Sequence, residues 1–504
     1  ANSLLRETLA GRARMLLVVG EPGIGKSRLV QAQRDSAAAS GIAWVEAHCS
    51  PYFRRTAYHP FSQILAPLLG LGPTAAPLDH AALAAAAARL ALPAEAVTLL
   101  EVLLGLPPSD PALIGRLSPQ LRRQMTMDTV RQLIEVSSGR QPLCLVIEDI
   151  HWADPSTLEL LDRLAQVPDA SLLTVLTSRP EIEASWRVPG AATVLRLPRL
   201  SPAETRQLLL HAAGSPEALP EAVLAELVQR TDGVPLFVEE MGRLLARRRL
   251  ASPGSDAASL LASLVSAAPS LRDSLTARLD RLGEARALVE LAAVLGNDFA
   301  RDDLRELAGS PGFDARLQGL LDEGIVQPRG LPGVLAFRHA LLRDAAYEAL
   351  GRDERRHAHG RAAAVLAARG GARPELLAHH LAEAGQLIPA SALLIQAGQD
   401  ALERAANAEA VAHFRRGAEV LAPAMPAPGA VGLMITHHTL EGFAWVVQRG
   451  YAVPEVESAF GRAGELLAAV GPEPPAELLP ALWGQWVLTL VRGRFADAEA
   501  RSTA

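Results

Sequence analysis

Residues 15–27, MLLVVGEPGIGKS, decide the fold of the N-terminal part of this chain. The apolar run Met15–Val19, closing at Gly20, has the length and character of a buried β-strand. Gly20, Gly23 and Gly25 then lead into Lys26 and Ser27, completing a G-x-x-x-x-G-K-[ST] pattern, and SRLVQAQRDSAAAS continues as a helix. Strand, glycine-rich loop and helix in this order make a phosphate-binding loop. The glycines let backbone N–H groups turn onto phosphate oxygens, and the helix N-terminus adds a favourable dipole. Gly20, Glu21, Pro22, Gly23, Ile24, Gly25, Lys26, Ser27 and Arg28 are therefore the candidate contacts to ATP or ADP. Lys26 would reach the β- and γ-phosphates, and Ser27 would offer its hydroxyl to Mg²⁺.

Composition singles out the same residue. Lysine and arginine together number 49, and Lys26 is the only lysine. Arginine fills almost every surface role of lysine. Its planar guanidinium is too wide to replace the compact charge on a thin stem that this loop needs.

A second apolar strand, LCLVIED (143–149), ends in Glu148 and Asp149. One carboxylate would bind Mg²⁺ and the other would orient the attacking water; the sequence leaves open which does which. His151, Trp152 and Asp154 follow, and PSTLELLDRL then reads as a helix with Pro155 in its first turn. A third strand, SLLTVLTSR (171–179), ends in Arg179, a position from which a cation senses the γ-phosphate. IAWVEAHC (42–49) and ATVLRL (192–197) complete five strands. With helices at 28–40, 59–70, 118–138 and 155–166 they fit a doubly wound parallel sheet in a multidomain α/β plus α chain. Lys26, Glu148, Asp149 and Arg179 are the candidate catalytic residues, and Ser27, Glu148 and Asp149 the candidate Mg²⁺ ligands.

At 504 residues the chain has room for about two to four domains. A hydrophobic share of 49% with 21% charged residues describes a folded chain with sizeable cores. Aromatics are only 4%, so the cores are Leu, Ala and Val packing, which favours helices. The net charge of −6 leaves no general basic footprint, which disfavours direct nucleic-acid binding. Cys49 and Cys144 match no metal or disulfide spacing and are expected to be buried thiols in a reducing cytoplasm. No apolar run reaches the roughly 18–20 residues of a membrane span, and no signal peptide is visible. The chain starts at Ala1 rather than Met and ends within a helical pattern, as a fragment cut at both ends would.

Four strings carry a family resemblance: GEPGIGKSRLV, HCSPYFRRTAYHPF, SPQLRRQMTMDTVRQLI and VIEDIHWADPSTLELL. Together they resemble the STAND ATPases, AAA-like signal-transduction NTPases with numerous domains. The likeness is to the ATPase–TPR region attached to bacterial adenylate/guanylate cyclase-like proteins, with similar modules in large LuxR-type transcriptional regulators. Further along, TDGVPLFVEEM (231–241) looks like the family's G-x-P element, which implies that Pro235 lies near the adenine. FRHALLRDAAYEAL (337–350) looks like part of its winged helix, which makes His339 the candidate to touch the β-phosphate of ADP; a structural role for that histidine stands beside it. RGYAVPEVESAFGRAGELL looks like TPR-like repeats. The family's V-G-R-E box is absent because the chain begins after its place, so weakened nucleotide binding is expected.

The resulting domain division is a P-loop NTPase at 1–198, a helical lid at 199–255, a winged helix at 256–352 and TPR-like helical repeats at 353–504. ASPGSDAAS (251–259) reads as a linker, and Arg247, Arg248 and Arg249 as a solvated helix end. The segment ARLQGLLDEG, where a winged helix reads DNA, is neutral to acidic, which favours a packing role. His357/His359, His379-His380 and His437-His438 have no carboxylate or cysteine at ligand spacing, which argues against a metal site. The expected function is a signalling ATPase, a nucleotide-dependent switch with slow hydrolysis. The resemblance implies a protein or peptide partner on the repeats, an output domain (cyclase or helix-turn-helix) outside this chain, and a nucleotide-dependent homo-oligomer. Two alternatives are a nucleotide-bound scaffold without turnover and an origin-recognition-like DNA-binding ATPase.

Overall fold

A computed structural model describes residues 2–71, 79–167, 170–214, 221–251, 270–309, 311–329, 332–427, 429–470 and 475–502. The expected linker at 251–259 therefore lies almost wholly outside the described residues. The chain forms two compact units, each assembled from separated stretches. The first comprises Ala1–Glu46, Pro142–His151 and Ser171–Ala358, and the second Ala47–Gln141, Trp152–Ala170 and His359–Ala504.

The first unit is built on β1 (Arg14–Val19), with β2 (Ala43–His48), β3 (Leu143–Glu148), β4 (Leu172–Ser178) and β5 (Ala192–Arg196). The sheet order is β2-β3-β4-β1-β5. β4 pairs in parallel with both β1 and β3, and β5 in parallel with β1. One extra strand thus separates the loop-bearing strand from the acid-bearing strand. β3 and β4 are buried along their whole length, which explains their unbroken apolar runs. The helices Asn2–Leu9 and Lys26–Ala39 close one side through Leu4, Leu5, Val30 and Ala37 against Leu16, Val18, Val146 and Val175.

Three helices follow: Pro202–Ala212, Glu221–Thr231 and Pro235–Ala251. Ser201 and Glu204 form a capping box at the start of the first. The bundle closes around Leu209, Leu227, Val238, Met241 and Leu245. Arg247 at its far end pairs with Glu323 at 2.6 Å. The rest of the unit runs helix Leu271–Asp280, helix Arg286–Leu295, β6 (Asp298–Ala300), helices Arg301–Ala308 and Phe313–Asp322, a hairpin of β7 (Val326–Pro328) and β8 (Val334–Phe337), and helix Ala340–Ala349. A small antiparallel sheet in the order β6-β8-β7 completes a winged-helix arrangement.

In the second unit, helices from Pro374 to Ser502 pack successively on one another. Glycines set how closely they approach. A methyl on Gly398 would lie 2.3 Å from Phe414 Cε1, and one on Gly442 2.8 Å from Phe460 Cε1. Each aromatic ring fills the space that its glycine leaves, the interlocking expected of stacked TPR-like repeats. No helix among the described residues is long and apolar enough to cross a membrane.

Candidate functional site

The C-terminal ends of β1, β3 and β4 lie side by side: Val19 is opposite Ser178, and Ile147 opposite Leu176. The residues that follow these ends are those the motifs single out. Gly25, at φ 103°, occupies a conformation that a side chain would resist, and nothing stands within 4 Å of where its Cβ would be. That cradle opens the N-terminus of helix Lys26–Ala39. The Lys26 ammonium curls over the loop and donates to the carbonyls of Gly20 (2.8 Å) and Glu21 (3.1 Å). Burial pulls its pKa below the usual lysine value. Asp149 and Glu148 pull it back up, and Arg179 lowers it further. Lys26, Glu148, Asp149 and Arg179 therefore share one electrostatic neighbourhood.

The two acids differ. Glu148 is buried, and its Oε2 accepts the Ser27 hydroxyl at 2.9 Å. Asp149 follows at φ 58°, a left-handed conformation unusual for this residue type, held by a hydrogen bond from its N–H to Thr177 Oγ1 at 2.9 Å. Its side chain is 47% exposed and lies 3.9 Å from His151 Nδ1. The turn thus aims consecutive carboxylates differently, one toward the loop serine and one outward. A hydroxyl and a buried carboxylate side by side are the hard oxygen donors that Mg²⁺ takes, so the residues fit that ion.

Asp154, in the same motif, has another task. In the second unit its Oδ1 caps helix Pro155–Leu164 by accepting the Thr157 N–H at 2.8 Å, and it also accepts the Tyr58 N–H at 3.1 Å. Glu409 accepts the Ser156 N–H at 2.9 Å. Burial, with Glu409 adding to it, pushes the Asp154 carboxyl well above the usual range.

The G-x-P element lies on the loop. Leu236 donates its N–H to the Gly23 carbonyl at 3.2 Å, and a methyl on Gly23 would meet Leu236 Cβ at 3.1 Å. Pro235 opens the helix at this junction. Arg199 grips Glu21 of the loop at 2.8 Å and also pairs with Asp232.

His339 precedes helix Ala340–Ala349, and its Nε2 is buried without a hydrogen-bond partner among the described residues. Burial, then Arg338, Arg278 and Arg243, holds its pKa down at about 4. Arg338 and Arg243 also line a hollow of about 240 Å³ with Arg28, the residue after Ser27.

Three contacts escaped the motif reading. Leu236 and Arg199 fasten the three-helix bundle to the loop. Arg329, beside β7, reaches Glu148 Oε1 at 3.5 Å and Asp298 at 3.3 Å. The string QPRGLPG marks a hairpin with an arginine, but nothing local says which acid that arginine meets.

Residues 2–177 match the family model described as the AAA ATPase domain. An uncharacterized protein of Rhizobium meliloti (strain 1021) is 29% identical over 95% of this chain. The chain spans about half the length of that relative, 47%. Among solved structures, a STAND protein with a tetratricopeptide repeat sensor from Pyrococcus horikoshii aligns over 97% of this chain and 66% of its own, at 15% identity and a TM-score of 0.40. A Thermotoga maritima RuvB variant aligns over 69% of this chain and 94% of its own, at 11% identity and a TM-score of 0.27. The matched family, the AAA ATPase domain, is a nucleotide-binding class that typically works with Mg²⁺, and residues 2–177 are similar to it.

Proposed function

We propose that this chain is the ATPase and helical-repeat part of a STAND-type signalling switch, in which slow ATP hydrolysis resets a regulator of an output domain outside the chain. The observation that carries this reading is the convergence on Glu148. One carboxylate faces Ser27 of the P-loop through Oε2 and Arg329 of the wing hairpin through Oε1. A Glu148 engaged by Arg329 is less available to a metal, so the wing and a loaded nucleotide compete for the same acid.

In this reading Ser27 and Glu148 hold Mg²⁺, whose charge would neutralise the β- and γ-phosphate oxygens. The Lys26 ammonium leaves the Gly20 and Glu21 carbonyls for those oxygens. The exposed Asp149 orients the attacking water, and Arg179 reports the γ-phosphate. Arg199 and Leu236 move the three-helix bundle with the loop, and Pro235 borders the base. His339 stands beside Arg338, Arg278 and Arg243, the last two paired with Glu240, and would meet a diphosphate there. The chain then divides into NTPase (1–198), lid (199–255), winged helix (256–352) and repeats (353–504). The repeats hold a hollow of about 570 Å³ where Arg415, Glu441 and Arg462 stand beside Ala418, Met434 and Pro454, a mixed charged and apolar recess suited to a peptide or small inducer.

The test is multiple-turnover phosphate release with ATP binding measured alongside. Lys26→Ala should lose about a hundredfold in ATP affinity, the worth of two charge-assisted hydrogen bonds. Asp149→Asn should keep Mg²⁺-ATP binding and lose turnover, and Glu148→Gln should weaken Mg²⁺-dependent binding as well. Unchanged affinity in Lys26→Ala would sink the site. Absent turnover in the wild type with tight binding would leave a scaffold.

A further inference from the structure

Away from the nucleotide site, three imidazoles converge in the second unit. His359 lies on helix Arg352–Arg369, and His379 and His380 lie on helix Pro374–Glu383. His359 and His380 are fully buried, and His379 is partly exposed. Each offers a ring nitrogen within 4.8 Å of those of the other two. The Nδ1 atoms of His359 and His380 are 2.8 Å apart. Tyr52, in the helical turn Pro51–Phe53, covers the group with its ring 4.7 Å from that of His379 and 6.5 Å from that of His380.

Two imidazole nitrogens at that distance need something between their lone pairs. A proton serves the pair as an N–H···N hydrogen bond between two neutral rings. A second proton would place a cation in a buried site, which desolvation opposes. A divalent metal satisfies all three nitrogens at once. Metal–nitrogen bonds of about 2.0–2.1 Å place tetrahedral ligand nitrogens about 3.3 Å apart. The His359–His380 pair would open by about half an ångström, and His379 would rotate inward. The donor set decides the ion class. Neutral imidazoles without thiolate or carboxylate favour Zn²⁺ and its neighbours Co²⁺, Ni²⁺ and Cu²⁺, and do not suit Mg²⁺ or Ca²⁺. In the sequence, the lack of a carboxylate or cysteine at ligand spacing argues against a metal; three imidazoles from two helices need neither.

We propose that His359, His379 and His380 form a three-histidine site for a zinc-class transition metal, with a fourth position open to water beside His379. A bound ion would tie the first helices of the repeat array to each other beneath the Pro51–Phe53 turn. The proposal is independent of the nucleotide reading, since it involves none of that site's residues.

The experiment titrates the chelator-treated whole chain with Co²⁺ alone. One equivalent should bind and give the visible d–d bands of a tetrahedral ion, and Zn²⁺ alone should displace it. His359→Gln, His379→Gln and His380→Gln should each weaken Co²⁺ binding by about a hundredfold. Circular dichroism establishes folding for each variant. His379→Gln, at the partly exposed position, keeps the test alive where a buried replacement unfolds. Weak binding spread over other histidines would overturn the proposal, as would tight Co²⁺ binding that survives in folded His379→Gln.

Discussion

Replacing Arg329 by alanine should make the ATPase domain load more readily. The Arg329 guanidinium stands 3.5 Å from Glu148 Oε1 and 3.3 Å from Asp298. The side chains are 21% and 8% exposed for Arg329 and Glu148, so the pair is only partly screened. At an effective dielectric of about 20 the gross attraction over that distance is about 5 kcal/mol, and desolvating both ions cancels much of it. A net contribution of about 1–2 kcal/mol remains, equivalent to about a five- to thirtyfold change in an equilibrium. Arg329→Ala should therefore tighten Mg²⁺-ATP binding by about that factor and raise basal phosphate release. Arg329→Lys should fall between, because an ammonium keeps the charge and loses the planar reach to two acids. The assay is a fluorescent-ATP titration at fixed Mg²⁺, repeated without Mg²⁺. Unchanged or weaker binding in Arg329→Ala would refute the competition for Glu148.

Gly233→Ala should unfasten the three-helix bundle: at φ +66° its new methyl would meet the Leu200 carbonyl oxygen at 2.3 Å. A cost of about 2–4 kcal/mol is expected, read as a lower Tm and weaker ATP binding; an unchanged Tm would contradict the fit. Acid should destabilise the chain through its buried histidines. Burial holds His59 at about 3 and His339 and His437 at about 4. Below the ordinary histidine value of about 6.5 the unfolded chain takes protons that the folded chain refuses, so their contribution is intact above that pH and lost as pH falls toward 4. Each histidine is worth at most about 3 kcal/mol in that window, and Tm measured from pH 7 to 4.5 should fall steadily; a flat profile would contradict the buried neutral state.

The nucleotide half of this account was legible because its chemistry is local. The loop, its strand and its helix are contiguous, and the apolar runs before Glu148 and Arg179 mark strands that are buried on both faces. What the sequence concealed depends on distant pairing. Arg329 and Glu148 are separated by 181 residues, and the tip of a hairpin carries no periodicity that names its partner. Asp154 reads as a motif residue beside the acids, yet it caps a helix and receives the Tyr58 amide. The different directions of the Glu148 and Asp149 carboxylates depend on one left-handed residue, φ 58° at Asp149, which no side-chain pattern encodes.

Lys26 is the only lysine, which makes ATP binding at its loop directly measurable. An amine-acylating reagent has two ordinary targets on this chain, Lys26 and the α-amino group, and the second serves as an internal reference. Burial lowers the Lys26 pKa, so the free amine is reactive in mild base. Bound phosphates would cover it and favour its charged form. Mass spectrometry of the acylated chain should show Lys26 modification suppressed by Mg²⁺-ATP with α-amino modification unchanged. Lys26 modified equally with and without Mg²⁺-ATP would contradict the account.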